Sequence, residues 1–154
     1  MYAWNKDPEY RFPESLEQHN LLVDSLEQLP LRNLYGFCYF TGISMRKAVT
    51  IKVSTVNVID HTLFLNGSPN EGVLYLSDQA FSYVYSAKSH HDRLQAPEND
   101  LLFVKEDGSH INITDIEVCT HILRSLLGIP TFKSRNICRS YCNMLNLLNR
   151  GNPL

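Results

Sequence analysis

The sequence predicts a mainly α-helical chain that carries one small β-hairpin, an α+β arrangement in which helix packing supplies the core. Three observations point there. Apolar residues recur at helical spacing in several separate stretches. Two helix starts have the capping-box form, Ser15-Leu-Glu-Gln18 and Thr114-Asp-Ile-Glu117, in which a hydroxyl accepts from the backbone while the residue three on reaches back. Two short strand-like runs, 62–65 and 73–76, flank Asn66-Gly-Ser-Pro-Asn-Glu-Gly72, a loop rich in turn formers.

The elements follow in order. Residues 1–13 are aromatic and charged, hold two prolines and show no period, so they form an N-terminal arm that either docks through Tyr2, Trp4, Tyr10 and Phe12 or stays mobile. Residues 14–154 then make a single domain. Its first helix follows Ser15, buries Leu16, Leu22, Val23 and Leu26, and turns Glu14, Glu17, Asp24 and Glu27 outward until Pro30 stops it. Such an acidic face is a poor surface for phosphates. The second helix places Leu31, Leu34, Tyr35 and Cys38 on one buried face, and Gly42 can end it in the left-handed conformation. Ser44 then caps a short helix, Ser44-Met-Arg-Lys-Ala-Val. Residues 53–60 are a turn-rich connection to the hairpin, which must lie on helices because two strands alone are marginal. Ser77-Asp78 starts a helix with Phe81, Val84 and Tyr85 inward, and residues 86–100, with His90, His91 and Pro97, read as a long polar connection. Thr114 opens a helix with Ile116, Cys119, Leu123, Leu126 and Leu127 inward, closed by Gly128 and Pro130. Ser134 caps one last helix with Ile137, Cys138, Tyr141, Leu145 and Leu148 inward, ended by Gly151 and Pro153.

Composition narrows the function. A chain of 154 residues with 44% hydrophobic and 19% charged content buries a core without metal or disulfide staples. A net charge of -2 means that nucleic-acid affinity has to come from a local patch. No apolar run approaches membrane-spanning length and the N-terminus has no signal-peptide core, which excludes a membrane partner and points to the cytoplasm. The four cysteines, all in helical patterns, are then expected as reduced, buried thiols. Cys138 and Cys142 are one turn apart and His90, His91, Asp92 and His110 are nearby in type, but no second pair completes a site, so no metal is expected. His19, His61 and His121 read as packing or surface residues. Nothing marks a cofactor: there is no glycine-rich phosphate loop, hydrolase elbow or usefully paired carboxylates.

An apolar helix, the corner Thr41-Gly42, a short helix, a hairpin, a Leu76-Ser-Asp78 helix start and finally Arg139 form an ordered series that resembles the catalytic domain of tyrosine recombinases, the phage-integrase family. The resemblance implies that fold, and an ancestry in enzymes whose tyrosine attacks a DNA phosphodiester while arginines neutralise the charge that develops. It also implies where the chemistry has been lost. The family's Thr-Gly-x-Arg corner is Thr41-Gly42-Ile43-Ser44 here, with serine in the arginine's place, and the acidic residue that often follows is Lys47. Arg46 points away from position 44 and replaces the lost charge only if the backbone shifts. The hairpin loop has no lysine, the His-x-x-Arg motif reads Asn136-Ile-Cys-Arg139, and the chain ends at Leu154, before the family's last histidine or tryptophan and its nucleophile. Arg139 is the one family-equivalent catalytic residue retained, and Tyr141, on the apolar stripe, is no substitute nucleophile. The expectation is a degenerate chain that does not cut DNA.

Binding can outlast catalysis. Arg135, Arg139, Asn143, Asn146 and Arg150 recur on the face of the last helix opposite its apolar stripe, with Lys133 before them, and Arg46, Lys47 and Lys52 extend the patch if the fold brings the two regions together. The expected partner is duplex DNA, held weakly, with a second copy or a recombinase as a further partner. Such a chain would come from a mobile element or from a cell that has domesticated one. Two rival readings stay open: a protein-interaction module that docks a partner or dimerises through the integrase-like fold, and a truncated piece of an active site-specific recombinase.

Overall fold

The computed structural model describes residues 11–66, 72–94 and 100–150, apart from the Arg150 side chain. Its elements are α1 (Leu16–Leu26), α2 (Arg32–Thr41), α3 (Met45–Ala48), a single 3-10 turn (Val53–Thr55), β1 (Thr62–Phe64), β2 (Val73–Tyr75), α4 (Asp78–Arg93), α5 (Ile113–Leu127), α6 (Ser134–Arg139) and α7 (Tyr141–Arg150). The architecture is the expected one, mainly helical with one two-stranded antiparallel sheet. The expected arm contacts of Tyr2, Trp4 and Tyr10, the hairpin loop tip, Pro97 and the last helix stop at Gly151 lie outside the described residues.

Helix α2 is the axis. Leu34, Tyr35, Gly36, Phe37, Cys38 and Tyr39 are all buried, more than one face of a helix, because α1, α3, α4, α6 and α7 pack around it. Gly36 makes the α4 contact close: a Cβ there would meet the Tyr83 ring at 2.5 Å. Tyr35 reaches across to α5, donating to the Ile116 carbonyl at 2.7 Å and sharing a 2.6 Å hydrogen bond with the Thr120 hydroxyl. Burial pushes the Cys38 thiol well above its usual range, with the Cys138 thiol adding to the shift, so Cys38 stays neutral.

The hairpin pairs Thr62 with Tyr75, Leu63 with Leu74 and Phe64 with Val73. Leu63 is fully buried and Leu74 half-buried, so this cross-strand pair is the face laid on the helices. On the other face Val73 and Tyr75 are exposed.

Several elements differ from expectation. Helix α4 runs through the segment read as a polar connection, as far as Arg93, because its buried positions are Ala80, Val84, Ala87 and His91, a helical series that uses small and imidazole side chains. His91 and His90 bond the carbonyls of Leu101 and Lys105 at 3.0 and 3.1 Å, which pins the following segment to the helix. Tyr85, expected inside, is exposed, and so is Leu16, since α1 turns His19, Leu22, Ser25 and Leu26 inward. The cap of α5 is Asn112, two residues before Thr114: Asn112 accepts from the Asp115 N–H at 3.0 Å while the Asp115 carboxylate accepts from the Asn112 N–H at 2.9 Å. That bond and Lys105, which lies 3.3 Å away, hold the Asp115 carboxyl below its ordinary range. At Ser15, the Gln18 side chain reaches back to Glu14 N–H, one residue beyond the cap. The single last helix is two, because Ser140 is buried and bonds its hydroxyl to the Asn136 carbonyl at 2.6 Å, interrupting the run. That break puts Met144 inside and leaves Leu145 exposed. The four cysteines are free, but only Cys38 and Cys119 are buried; Cys142, on the outer side of α7, is exposed.

Candidate nucleic-acid interface

The corner after α2 is built by local bonds. The Thr41 hydroxyl donates to the Phe37 carbonyl at 2.7 Å and accepts from the Ile43 N–H at 3.2 Å, while Gly42 takes φ 78° and ends the helix. Ser44 caps α3, its Oγ accepting from the Lys47 N–H at 3.2 Å. The Ser44 hydroxyl is therefore part of a helix cap. Arg46 is exposed on α3. Lys47 is half-buried, and its ammonium donates to Asn66 Oδ1, tying α3 to the hairpin end.

Helix α6 packs on α2 and reaches α3, so the corner and the Arg139 helix are neighbours on one side of the molecule. The ring of Tyr141 completes the junction by lying against Gly42. Lys133, Arg135 and Arg139 are all exposed, the two arginines one turn apart on α6. Asn136 points the other way and is fully buried. Its Oδ1 accepts from the Lys133 N–H at 2.6 Å and closes the start of α6, whereas its Nδ2 has no hydrogen-bond partner.

The rest of the expected stripe diverges. Asn143 is half-buried and donates to the Phe12 carbonyl at 3.3 Å. The Phe12 ring is buried edge-on against Phe132, with centroids 5.3 Å apart, so Asn143 helps to seat the end of the N-terminal arm. Asn146 is exposed, and the Arg150 side chain lies outside the described residues. Lys52 is exposed but sits at a bridge to Leu101. The residue that sequence reasoning missed is Arg124, whose Nε–H donates to the Phe132 carbonyl at 2.8 Å beside Lys133. Nothing in helical spacing relates positions 124 and 132 across a turn, so no local signal announces it.

Among the described residues, no group of three or more His, Cys, Asp or Glu side chains is placed to hold a metal ion, and no helix is long and apolar enough to cross a membrane.

No family model matches this sequence, and no curated protein does. Solved structures do. The crystal structure of XerA recombinase superposes with a TM-score of 0.67 at 16% identity, covering 87% of this chain and 48% of that one. The XerH site-specific recombinase, bound to its difH substrate in a pre-cleavage complex, gives a TM-score of 0.63 at 16% identity, covering 90% of this chain and 43% of that one. The chain thus spans less than half the length of either recombinase. Its fold is that of a tyrosine-recombinase catalytic domain.

Proposed function

We propose that this chain is a non-catalytic, integrase-like DNA-associated protein that acts in DNA recombination or integration, or in its regulation. It holds duplex DNA weakly through Arg46 on α3, Lys133 at the start of α6, and Arg135 and Arg139 on α6, with Lys47, Asn143 and Arg150 as further contact residues. A second copy or an active recombinase is its protein partner.

One observation carries the non-catalytic reading. The two positions that the resemblance assigns to the first arginine and the motif histidine are engaged in closing helix starts, Ser44 as the cap of α3 at 3.2 Å and Asn136 by accepting from the Lys133 N–H at 2.6 Å. Neither supplies a cation for a phosphorane. The recombinase fold and the exposed Arg135 and Arg139 beside the α2–α3 corner support the binding reading. With a net charge of -2, the attraction is local and falls steeply with salt.

Titration of a labelled duplex at low salt should show weak binding that added salt abolishes and that Arg135→Glu with Arg139→Glu removes, with no strand cleavage. Absence of binding, or binding indifferent to the charge reversal, refutes the proposal. The share of the two recombinases that the chain covers favours one second reading, that it is a part of a longer, active recombinase. A covalent protein–DNA adduct formed by the chain together with its flanking coding sequence would decide for that reading.

A further inference from the structure

A second positively charged surface lies around the turn from α6. Glu117, Thr120 and Arg124 of α5 face Lys133 and Ser134 across a pocket of about 410 Å³. The Arg124 bond to the Phe132 carbonyl fixes its guanidinium through Nε, leaving the two terminal amino groups as a planar fork of the geometry that matches two phosphate oxygens. Among the described residues, neither Arg124 nor Lys133 has a carboxylate within ion-pair distance. The Ser134 hydroxyl is not used in capping, because Lys133 is the cap position and the Asn136 side chain closes it. Thr120 is committed to Tyr35 and forms the floor. Glu117 is the one opposing charge, and it sits two helical turns from Arg124, which leaves the Arg124–Lys133–Ser134 end net positive.

We propose that this end of the pocket takes one backbone phosphate of duplex DNA, gripped by the Arg124 fork and the Ser134 hydroxyl beside Lys133. The inference rests on the DNA-binding reading above and extends that face from α6 across the turn onto α5. Continuity supports it, since Lys133 belongs both to the pocket and to the exposed run Lys133, Arg135, Arg139.

The test compares salt-dependent duplex binding by the full chain and by three variants, with unfolding midpoints measured alongside. Arg124→Gln should weaken binding about tenfold at low salt and reduce the log–log salt slope by about one unit, as expected for one lost phosphate contact. Because Arg124 also supports the turn, Ser134→Asp is the second variant. A carboxylate in the first turn of a helix favours folding, so its midpoint should hold or rise while its DNA affinity falls by a similar factor. Arg135→Gln is the control for the wider face. If Arg135→Gln weakens binding and both pocket variants bind like the wild type, the pocket assignment is overturned and the DNA reading stands. If the wild type itself shows no salt-sensitive duplex binding, both fall together. Stabilisation by inorganic phosphate that Arg124→Gln removes, with duplex affinity unchanged, would make this a free-anion site and also overturn the assignment.

Discussion

The Tyr141 ring lies against Gly42 so closely that a Cβ on the glycine would meet ring atom Cδ2 at 3.2 Å. Gly42 also has φ 78°, where an L side chain is strained. One residue thus satisfies two demands: the corner that directs α3 away from α2, and the approach of α7. Gly42→Ala should cost about 1–2 kcal/mol from the backbone term alone, with the displaced ring adding to it. Urea unfolding measures the loss. A midpoint equal to the wild type would mean that Tyr141 does not set the junction.

The cap of α5 offers a sharper comparison. The capping-box pattern in the sequence is Thr114-Asp-Ile-Glu117. The structure instead closes a reciprocal pair of bonds between Asn112 and Asp115. Asn112→Ala should therefore destabilise by about 1 kcal/mol, and Thr114→Ala by much less. The reverse order in chemical denaturation would return the helix start to Thr114.

Several local signals are legible in the sequence: the Ser15, Ser44 and Ser77 caps and the Gly42 stop are where the pattern puts them. So are the pairing runs of the hairpin and the order of elements that gives the fold. The start of α5 at Asn112 is not, since an Asn–Asp pair is not the usual capping-box form, and Lys105 from another segment adds an ion pair to Asp115. Helix α4 extends beyond its sequence signal because Ala87 and His91 are buried, His91 bonding the Leu101 carbonyl, and neither residue announces itself as core. At the candidate interface the exposed arginines of α6 are legible from their spacing. The engagement of Asn143 with Phe12 and of Arg124 with Phe132 is not, since each pairs a side chain with backbone outside its own helix.

Stability should fall on both sides of neutral pH. The His19 Nδ1 and Tyr39 hydroxyl lie 2.7 Å apart in the α1–α2 contact, and burial lowers the His19 pKa below 6.5. In the window from 6.5 down to that lowered value, the unfolded chain takes up a proton that the folded chain refuses. Stability is full above 6.5 and is lost as the pH falls through the window. At high pH, burial raises both Tyr35 and Tyr39 above the ordinary 10.0, so unfolded tyrosines ionise first and stability drops above that value. The urea midpoint of the wild type should fall between pH 7.5 and 5.5, and His19→Gln should flatten that limb. An unchanged slope in the variant would assign the acid limb to other groups.

Asn136 gives a direct test of which way the start of α6 faces. Asn136→His would be harmless if that side chain faced solvent. It faces the core instead: Asn136 is fully buried and its Oδ1 closes α6 on the Lys133 N–H. An imidazole is larger than the carboxamide, so it overfills the site at about 1–3 kcal/mol, and loss of the cap adds about 1 kcal/mol. The neutral imidazole also brings an N–H donor into a place where the Asn136 Nδ2 finds no hydrogen-bond partner, so this cost is not relieved. The variant should unfold at lower urea than the wild type and should show no strand cleavage. Equal stability would mean that the position yields freely towards solvent, and Asn136 would then not be the core residue that closes α6.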